Sequence, residues 1–238
     1  MRPIRDPIIV ALDVGDRERL LCLAESLRGE VETVKVGLEA YTCLGPRILQ
    51  EVREKGFRVF ADLKLHDIPN TVQGAVRGLA RRGVYMLTVH AAGGRAMLEA
   101  AVGAARREAE SAGLRSPLLL GVTVLTSLDR AALGEMGWTA GVEEAVLSLA
   151  RLGRECGLDG VVASPREVPM LRRELGPEPL IVTPGIRLPD DRARDQARTA
   201  TPAEALAAGA DYLVVGRAVV EHPDPARALR SIRRAAGL

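Results

Sequence analysis

The chain has 238 residues with a formal net charge of +2, 47% hydrophobic residues and 3% aromatic residues. So small a charge argues against a nucleic-acid binder that relies on phosphate neutralisation, and few aromatic residues are available to stack on single-stranded bases. No apolar run approaches the ~20 residues of a membrane span, and the first six residues lack the apolar core of a signal peptide. Cys22, Cys43 and Cys156 are isolated, which predicts reduced thiols. We therefore expect a cytoplasmic protein that binds neither nucleic acid nor membrane.

Short apolar runs rich in Val, Ile and Leu alternate with longer segments whose apolar residues recur about every 3.6 positions. The runs predict eight strands, at residues 8–12, 33–36, 58–64, 86–90, 118–125, 160–163, 180–183 and 212–215. The intervening segments predict helices at residues 17–27, 45–54, 71–82, 95–109, 142–155, 168–174, 202–208 and 225–236. Continuous apolar strands separated by helices are typical of a parallel sheet that is buried on both faces.

Eight successive strand–helix units in a chain of this length predict an α/β protein, a single-domain (β/α)8 TIM barrel over residues 1–238. An open, doubly wound sheet is the alternative, although no Gly-x-Gly-x-x-Gly turn follows the first strand. The glycine-rich residues 134–141 predict an inserted loop after the fifth strand. The charged residues 187–198 predict a mobile flap after the seventh strand.

Polar side chains follow the apolar runs at the strand ends where TIM barrels carry their active sites. They are Asp13, Lys35, Asp62, Lys64, His90, Thr123, Thr126, Ser164, Arg187 and Arg217. Because the carboxyl ends of parallel strands lie on one side of a barrel, we expect these residues at one rim. A protein with a purely structural role would not need so many polar groups there.

Lysine is rare in this chain, which contains Lys35, Lys55 and Lys64 among 33 basic residues. Lys35 and Lys64 lie inside apolar runs, where a charge is costly unless it has a function. Burial and neighbouring charges can move the pKa of a lysine, so a lysine can transfer a proton where an arginine cannot. The placement makes Lys64 the first candidate for a catalytic residue.

Alternation along the third strand predicts that Asp62 and Lys64 point to the same side, the barrel interior. With Lys35 from the adjacent strand and Asp67 further along, they predict an alternating charge array of two lysines and two aspartates. Such an array can keep Lys64 protonated and place a carboxylate near a substrate anion. The alternative is a buried ion-pair network with a structural role only.

Gly216 and Arg217 end the eighth strand, before a short helical turn at residues 218–220. Backbone N–H groups at a helix start, together with an arginine, can bind an anion, and TIM barrels often bind phosphate after strands seven and eight. Arg187 follows strand seven. We therefore expect a phosphorylated small-molecule substrate, with an exposed surface arginine as the alternative interpretation of Arg217.

The three histidines do not predict a metal site. His66 lies beyond the third strand, His90 ends the fourth strand, and His222 lies in a C-terminal loop. We expect His90 to hydrogen-bond to other site residues rather than to react. No histidines and carboxylates share metal-ligand spacing, so we expect no metal. The alternative that stays open is a Mg²⁺ ion bound jointly by Asp62 and a substrate.

Several short segments, in this order, carry a family pattern over essentially the whole chain. They are Ala11-Leu12-Asp13, Val34-Lys35-Val36-Gly37, DLKLHDIPNT at residues 62–71, Val89-His90-Ala91, Leu125-Thr126-Ser127, residues 182–187, Asp195-Gln196 and residues 214–217. The chain resembles the orotidine 5′-phosphate decarboxylase family. That resemblance implies decarboxylation of orotidine 5′-monophosphate to UMP in de novo pyrimidine biosynthesis, without a metal or an organic cofactor.

The resemblance also implies a role for each matched residue. Lys64 would donate a proton to C6 of the pyrimidine, Asp67 would lie against the departing carboxylate, and Lys35 and Asp62 would complete the array. Asp13 and Thr71 would contact ribose hydroxyls, and Thr126 would contact the base. Gln196, Gly216 and Arg217 would hold the phosphate, assisted by Arg187. Ile68 would be a further substrate contact. The family is homodimeric, which would bring Asp67 and Thr71 into the neighbouring subunit's site.

Two other functions stay open. The 3-keto-6-phosphogulonate decarboxylases and hexulose-phosphate synthases of the same superfamily share the Asp-x-Lys-x-x-Asp core, but they depend on Mg²⁺ and differ after the second Asp. Residues 68–71, Ile-Pro-Asn-Thr, favour the pyrimidine enzyme. A non-catalytic nucleotide-binding barrel would keep Arg217 and Gln196 but could lose the Lys–Asp array, whose four residues are all present.

Overall fold

The strands form a closed barrel. A computed structural model describes residue 4, residues 6–187 and residues 199–238. Within these residues, eight parallel strands pair in chain order and β8 pairs with β1. They are β1 (Ile8–Ala11), β2 (Thr33–Gly37), β3 (Arg58–Leu65), β4 (Met86–His90), β5 (Leu118–Val122), β6 (Gly160–Val162), β7 (Leu180–Thr183) and β8 (Tyr212–Val215). The predicted TIM-barrel fold is therefore confirmed, and the open sheet is excluded.

Helices connect the strands around the outside of the barrel. They are α1 (Arg17–Ser26), α2 (Leu38–Leu44), α3 (Arg47–Glu54), α4 (Pro69–Arg81), α5 (Gly94–Ser111), α6 (Arg130–Glu135), α7 (Val142–Glu155), α8 (Val168–Leu175), α9 (Pro202–Ala207), α10 (Arg217–Val220) and α11 (Pro225–Ala235). Aspartate side chains cap the first turns of α1, α6 and α11 by accepting backbone N–H groups. Across the described residues, no helix has both the length and the apolarity needed to cross a bilayer.

The structure differs from the sequence expectation in three places. The periodicity predicts neither α2 nor α6, because each is short and buries a single residue, Ala40 and Leu133 respectively. Residues 134–141, interpreted as a loop, begin inside α6. The fifth strand ends at Val122, so residues 123–125 are not part of it. The predicted flap, apart from Arg187, lies outside the described residues.

The barrel interior below the rim is filled with apolar side chains. It consists of Ile9, Ala11, Phe60, Met86, Leu120, Leu180, Val182, Tyr212 and Val214. The residues on either side of these, such as Ile8 and Val10, pack instead between the barrel and the helices, as alternation along a strand requires. Because this core fills the barrel, polar side chains further along the strands lie at the carboxyl-end rim.

The third strand departs from regular pairing near its end. Its ladder with β4 matches Ala61 to Leu87 and then Leu65 to Val89, so β3 carries extra residues between the two pairs. Within this bulge, Lys64 has a φ of 49°, in the left-handed region. Strict alternation, the basis of the predicted side-chain directions on β3, therefore fails at this point.

Candidate active site

Four charged side chains from the ends of β1, β2 and β3 form a continuous chain of ion pairs. Lys35 Nζ lies 3.0 Å from Asp13 Oδ1 and 3.4 Å from Asp62 Oδ2. Lys64 Nζ donates to the same Asp62 Oδ2 at 2.9 Å. The order Asp13, Lys35, Asp62, Lys64 alternates in sign, so each charge that is withdrawn from water has a partner of opposite sign.

The parallel register explains why these four residues meet. Ala11 of β1 pairs with Lys35 of β2, so Asp13, which follows the strand, lies beside Lys35. Gly37 of β2 pairs with Asp62 of β3. Lys35 and Asp62 are buried, with 8% and 9% of their surfaces exposed, and the ladder therefore holds oppositely charged groups together inside the rim.

The ion pairs outweigh the effect of burial on both central groups. Burial alone would lower the pKa of Lys35, but Asp62 and Asp13 raise it above its ordinary value. Burial alone would raise the pKa of Asp62, but Lys35, Lys64 and the hydroxyl of Thr88 bring it below its ordinary value. Both side chains therefore stay charged at neutral pH.

The array forms one wall of a cavity of about 720 Å³ at the carboxyl-end rim. Eight of the twelve substrate contacts that the family resemblance implies line this cavity: Asp13, Lys35, Asp62, Lys64, Thr126, Arg187, Gly216 and Arg217. The opposite wall includes apolar side chains such as Val124, Val162 and Ile186. A volume of this size fits a nucleotide-sized ligand, with charge at one side and apolar surface at the other.

Three of those twelve residues do not line this cavity in the described structure. Asp67, Ile68 and Thr71 are exposed at the start of α4, and Ile68 keeps 66% of its surface accessible. Asp67 Oδ1 accepts the backbone N–H of Ile68 at 2.6 Å rather than joining the two lysines. Asp13 takes the fourth place in the array that the sequence assigned to Asp67. Gln196 lies outside the described residues.

The end of β8 places an arginine at the cavity wall. Helix α10 begins at Arg217, directly after Gly216, and its first turn closes with Val219 and Val220 donating to the Gly216 carbonyl. Arg187 reaches the same cavity from the end of β7, where its backbone N–H donates to Ala200 at 3.0 Å. The two guanidinium groups converge on one cavity, as recognition of an anion requires.

The histidines take different positions around the rim. The rings of His66 and His90 lie 5.2 Å apart, and His66 is exposed. Burial lowers the pKa of His90, and the adjacent His66 and Lys64 lower it further. His222 is exposed, accepts the Asp224 backbone N–H and borders the cavity.

Sequence reasoning missed two residues that the structure brings into the array. Thr88, fully buried in β4, accepts the Lys64 backbone N–H and donates to Asp62, both at 2.9 Å. Gly37 lies so close to Asp13 and Lys35 that a Cβ at this position would displace the Asp13 carboxylate. A hydroxyl in the middle of the apolar run Met86–His90 was the available signal for Thr88.

The described part of the chain does not bring metal-ligating side chains together. Among the residues that the structure describes, no three His, Cys, Asp or Glu side chains are grouped closely enough to hold a metal ion. The polar groups of the cavity wall are instead ammonium, guanidinium and carboxylate groups of opposite charge. This arrangement suits a small, anionic organic ligand.

Comparison with known sequences decides the family. A sequence model described as "Orotidine 5'-phosphate decarboxylase / HUMPS family" matches residues 6–232. The chain belongs to the orotidine 5′-phosphate decarboxylase family. A relative from Moorella thermoacetica named orotidine 5′-phosphate decarboxylase is 55% identical, over 96% of this chain and 91% of its own length. One of the same name from Chromobacterium violaceum is 48% identical, over 96% and 90%.

Solved structures of two similar proteins share the fold. The orotidine 5′-phosphate decarboxylase of Lactobacillus acidophilus has a TM-score of 0.84 and 37% identity, over 98% of this chain and all of the other. An uncharacterized conserved protein from Geobacillus kaustophilus has a TM-score of 0.85 and 39% identity, over 97% and 100%. The predicted membership of the family is therefore confirmed along almost the whole chain.

Proposed function

We propose that this protein decarboxylates orotidine 5′-monophosphate to UMP in pyrimidine biosynthesis, without a metal or an organic cofactor. The observation that carries the proposal is the Lys64–Asp62 contact of 2.9 Å inside the rim cavity. Relatives that are up to 55% identical and carry this enzyme's name support it. The same proposal includes a single domain over residues 1–238 and a cytoplasmic location. The free thiols of Cys22, Cys43 and Cys156 favour that location.

The reaction needs a cation near the reacting carbon. Loss of CO₂ from C6 of the pyrimidine leaves an electron pair on a ring carbon with no adjacent carbonyl or iminium group to accept it. Stabilisation must then be electrostatic and prearranged. The Lys64 ammonium supplies positive charge beside that carbon and then donates its proton, so the C6–CO₂ bond is replaced by a C6–H bond.

The rest of the array holds the Lys64 ammonium group in position. Asp62 accepts a hydrogen bond from Lys64 Nζ and forms an ion pair with Lys35. Lys35 in turn donates to Asp13, which follows β1. Because these partners are fixed before substrate binds, little reorganisation accompanies the chemical step. Asp13 would also bind a ribose hydroxyl, using the side of its carboxylate that faces the cavity.

Asp67, Ile68 and Thr71 would act from a second copy of the chain. All three are exposed and stand apart from the cavity wall of their own subunit. In a homodimer, Asp67 would lie against the substrate carboxylate, where repulsion between like charges favours its departure. Thr71 would bind a ribose hydroxyl of the substrate in the neighbouring subunit.

The phosphate would bind where the cavity meets the ends of β7 and β8. Arg217, Gly216 and Arg187 line the cavity, Gln196 would assist, and Thr126 would contact the base. Phosphate contacts far from C6 supply binding energy that can enforce the reactive geometry. Because the reaction needs a barrier reduction on the order of 20 kcal/mol, one lysine is insufficient and remote binding must contribute.

The experiment is a continuous ultraviolet assay of orotidine 5′-monophosphate disappearance, with release of CO₂ measured in parallel. We expect turnover that is unchanged by EDTA. Loss of activity on chelation, with activity on a sugar phosphate, would favour the Mg²⁺-dependent branch of the family instead. Nucleotide binding without CO₂ release would point to a non-catalytic barrel.

A further inference from the structure

Lys64 has an unusual backbone conformation. Its φ of 49° is the one positive value at a residue other than glycine in the described part of the chain. A side chain with a Cβ is strained in the left-handed region, and such strain persists only where the surroundings impose it. A lysine has no short polar side chain to stabilise this conformation locally, so neighbouring groups must do so.

Thr88 makes both contacts that could impose this conformation. Its hydroxyl oxygen accepts the Lys64 backbone N–H at 2.9 Å, and its hydroxyl hydrogen is donated to Asp62 Oδ1 at 2.9 Å. The contacts fall inside the bulge, where the β3–β4 ladder passes from the Ala61 pair directly to the Leu65 pair. A side chain on β4 thus binds the β3 backbone where the regular ladder is interrupted.

The two hydrogen bonds act on both members of the reactive ion pair. Asp62 presents Oδ1 to Thr88 and Oδ2 to Lys64 Nζ, so the Thr88 contact fixes the rotation of the carboxylate. The same hydroxyl sets the backbone from which the Lys64 side chain departs. Thr88 has no exposed surface, so water does not compete for either contact.

We propose that Thr88 is a positioning residue for the decarboxylation, holding the Lys64 backbone in its left-handed conformation and orienting the Asp62 carboxylate through one hydroxyl group. The inference rests on the proposed function, because it assumes that Lys64 carries the chemistry. Thr88 does not line the substrate cavity, so it acts through these two residues.

The chain offers a matched control in Thr183. This residue is also fully buried, at the end of β7, but its hydroxyl has no hydrogen-bond partner among the described residues. Thr183→Val and Thr88→Val therefore make the same chemical change at buried positions on two strands, β7 and β4, of one barrel. They differ in whether the lost hydroxyl was bound to the reactive pair.

The experiment compares Thr88→Val, Thr88→Ser and Thr183→Val by kcat, KM and UMP affinity. A displacement of about 1 Å at a reacting group can cost about 10²-fold, so we expect kcat of Thr88→Val to fall about 10²-fold. KM and UMP affinity should stay within about threefold, because the hydroxyl does not touch substrate. Thr88→Ser keeps the hydroxyl and should recover kcat to within about tenfold, while Thr183→Val should behave as wild type.

A pH profile separates positioning from a general loss of packing. Asp62 faces Lys35 from β2, Lys64 from its own strand and Thr88 from β4, with Asp13 and His90 further away. Removing the Thr88 hydrogen bond while both lysines remain should raise the pKa of Asp62. The acidic limb of kcat/KM should therefore move to higher pH in Thr88→Val and not in Thr88→Ser or Thr183→Val.

The outcomes are distinguishable. A wild-type protein that releases no CO₂ would overturn the proposed function, whereas an active wild type with unchanged kcat in Thr88→Val would overturn the role of Thr88 alone. If Thr88→Val does not fold, Thr88→Ser decides: a kcat loss of about 10²-fold despite the retained hydroxyl overturns the inference. A kcat within about tenfold, with Lys64 still left-handed in a crystal structure of that variant, supports it.

Discussion

Lys35 Nζ lies 3.0 Å from Asp13 Oδ1, and this contact occupies the space that a Cβ on Gly37 would need. A Cβ on Gly37 would lie 2.5 Å from Asp13 Oδ1 and 3.0 Å from Lys35 Nζ, so the Asp13 carboxylate would have to move and the Lys35 ammonium would be crowded. The φ of Gly37 is −92°, which any residue can adopt. Space beside the ion pair, not backbone freedom, is therefore the reason for glycine at the end of β2.

Gly37→Ala should lower kcat/KM about 10²-fold, because the added methyl group displaces the Asp13 carboxylate or the Lys35 ammonium from the array. Initial rates in the ultraviolet assay measure this loss. The matched control is Gly134→Ala, whose new methyl group would meet no atom within 4 Å. An Asp13→Ala background removes the closer of the two clashes, the 2.5 Å approach to Asp13 Oδ1, so Gly37→Ala should cost less there. An equal loss in both backgrounds would contradict the clash.

Lys64→Ala should lower kcat by at least about 10⁴-fold, because it removes both the prearranged charge and the proton donor. Binding of UMP should remain measurable by calorimetry, since the phosphate contacts are untouched. Lys55→Ala is the matched control, because Lys55 pairs with Glu25 at 2.7 Å and does not line the cavity. Near-normal turnover by Lys64→Ala would remove the proposed mechanism.

The fold could be predicted because its signal is local. Each strand is a short apolar run, and the interior and exterior positions follow from alternation alone. The sequence did not predict helices α2 and α6. Helical periodicity is recognised from several buried positions, and each of these helices buries a single side chain. Short helices over a barrel rim are set by tertiary contacts that no window of sequence displays.

The site could be predicted only in part, because its geometry depends on pairing between strands. Lys35, Asp62 and Lys64 were identifiable as charges in apolar runs, and the structure brings them together. The Asp13–Lys35 contact depends on the register between β1 and β2. The Thr88 contacts depend on the bulge in β3, which breaks the alternation that sequence reasoning must assume.

Arg217→Ala should raise KM about 10- to 100-fold with a smaller change in kcat, since a charge-assisted hydrogen bond contributes about 1.5–3 kcal/mol. The dissociation constant of UMP, measured by calorimetry, should rise by a similar factor. Arg173→Ala is the control, because the Arg173 side chain is 74% exposed on α8 and lies away from the cavity. An unchanged UMP affinity in Arg217→Ala would contradict the phosphate assignment.

Asp67→Asn and Lys64→Ala chains, each inactive alone, should restore activity when they are mixed into dimers. If Asp67 completes the neighbouring site, each mixed dimer contains one site with an intact Lys64 and an intact Asp67. Random assembly then gives about a quarter of the wild-type sites. The physical reason for the test is that Asp67 is exposed and stands apart from its own array.

The control mixture combines Lys64→Ala with Asp62→Asn chains. Asp62 and Lys64 contact each other within one subunit at 2.9 Å, so every site in that mixture carries one of the two defects. It should show no recovery, because exchanging subunits cannot repair a pair that lies on one strand. Tagged chains purified through two affinity steps verify that mixed dimers are present. Verified mixed dimers of Asp67→Asn and Lys64→Ala that stay as inactive as this control would contradict a shared site.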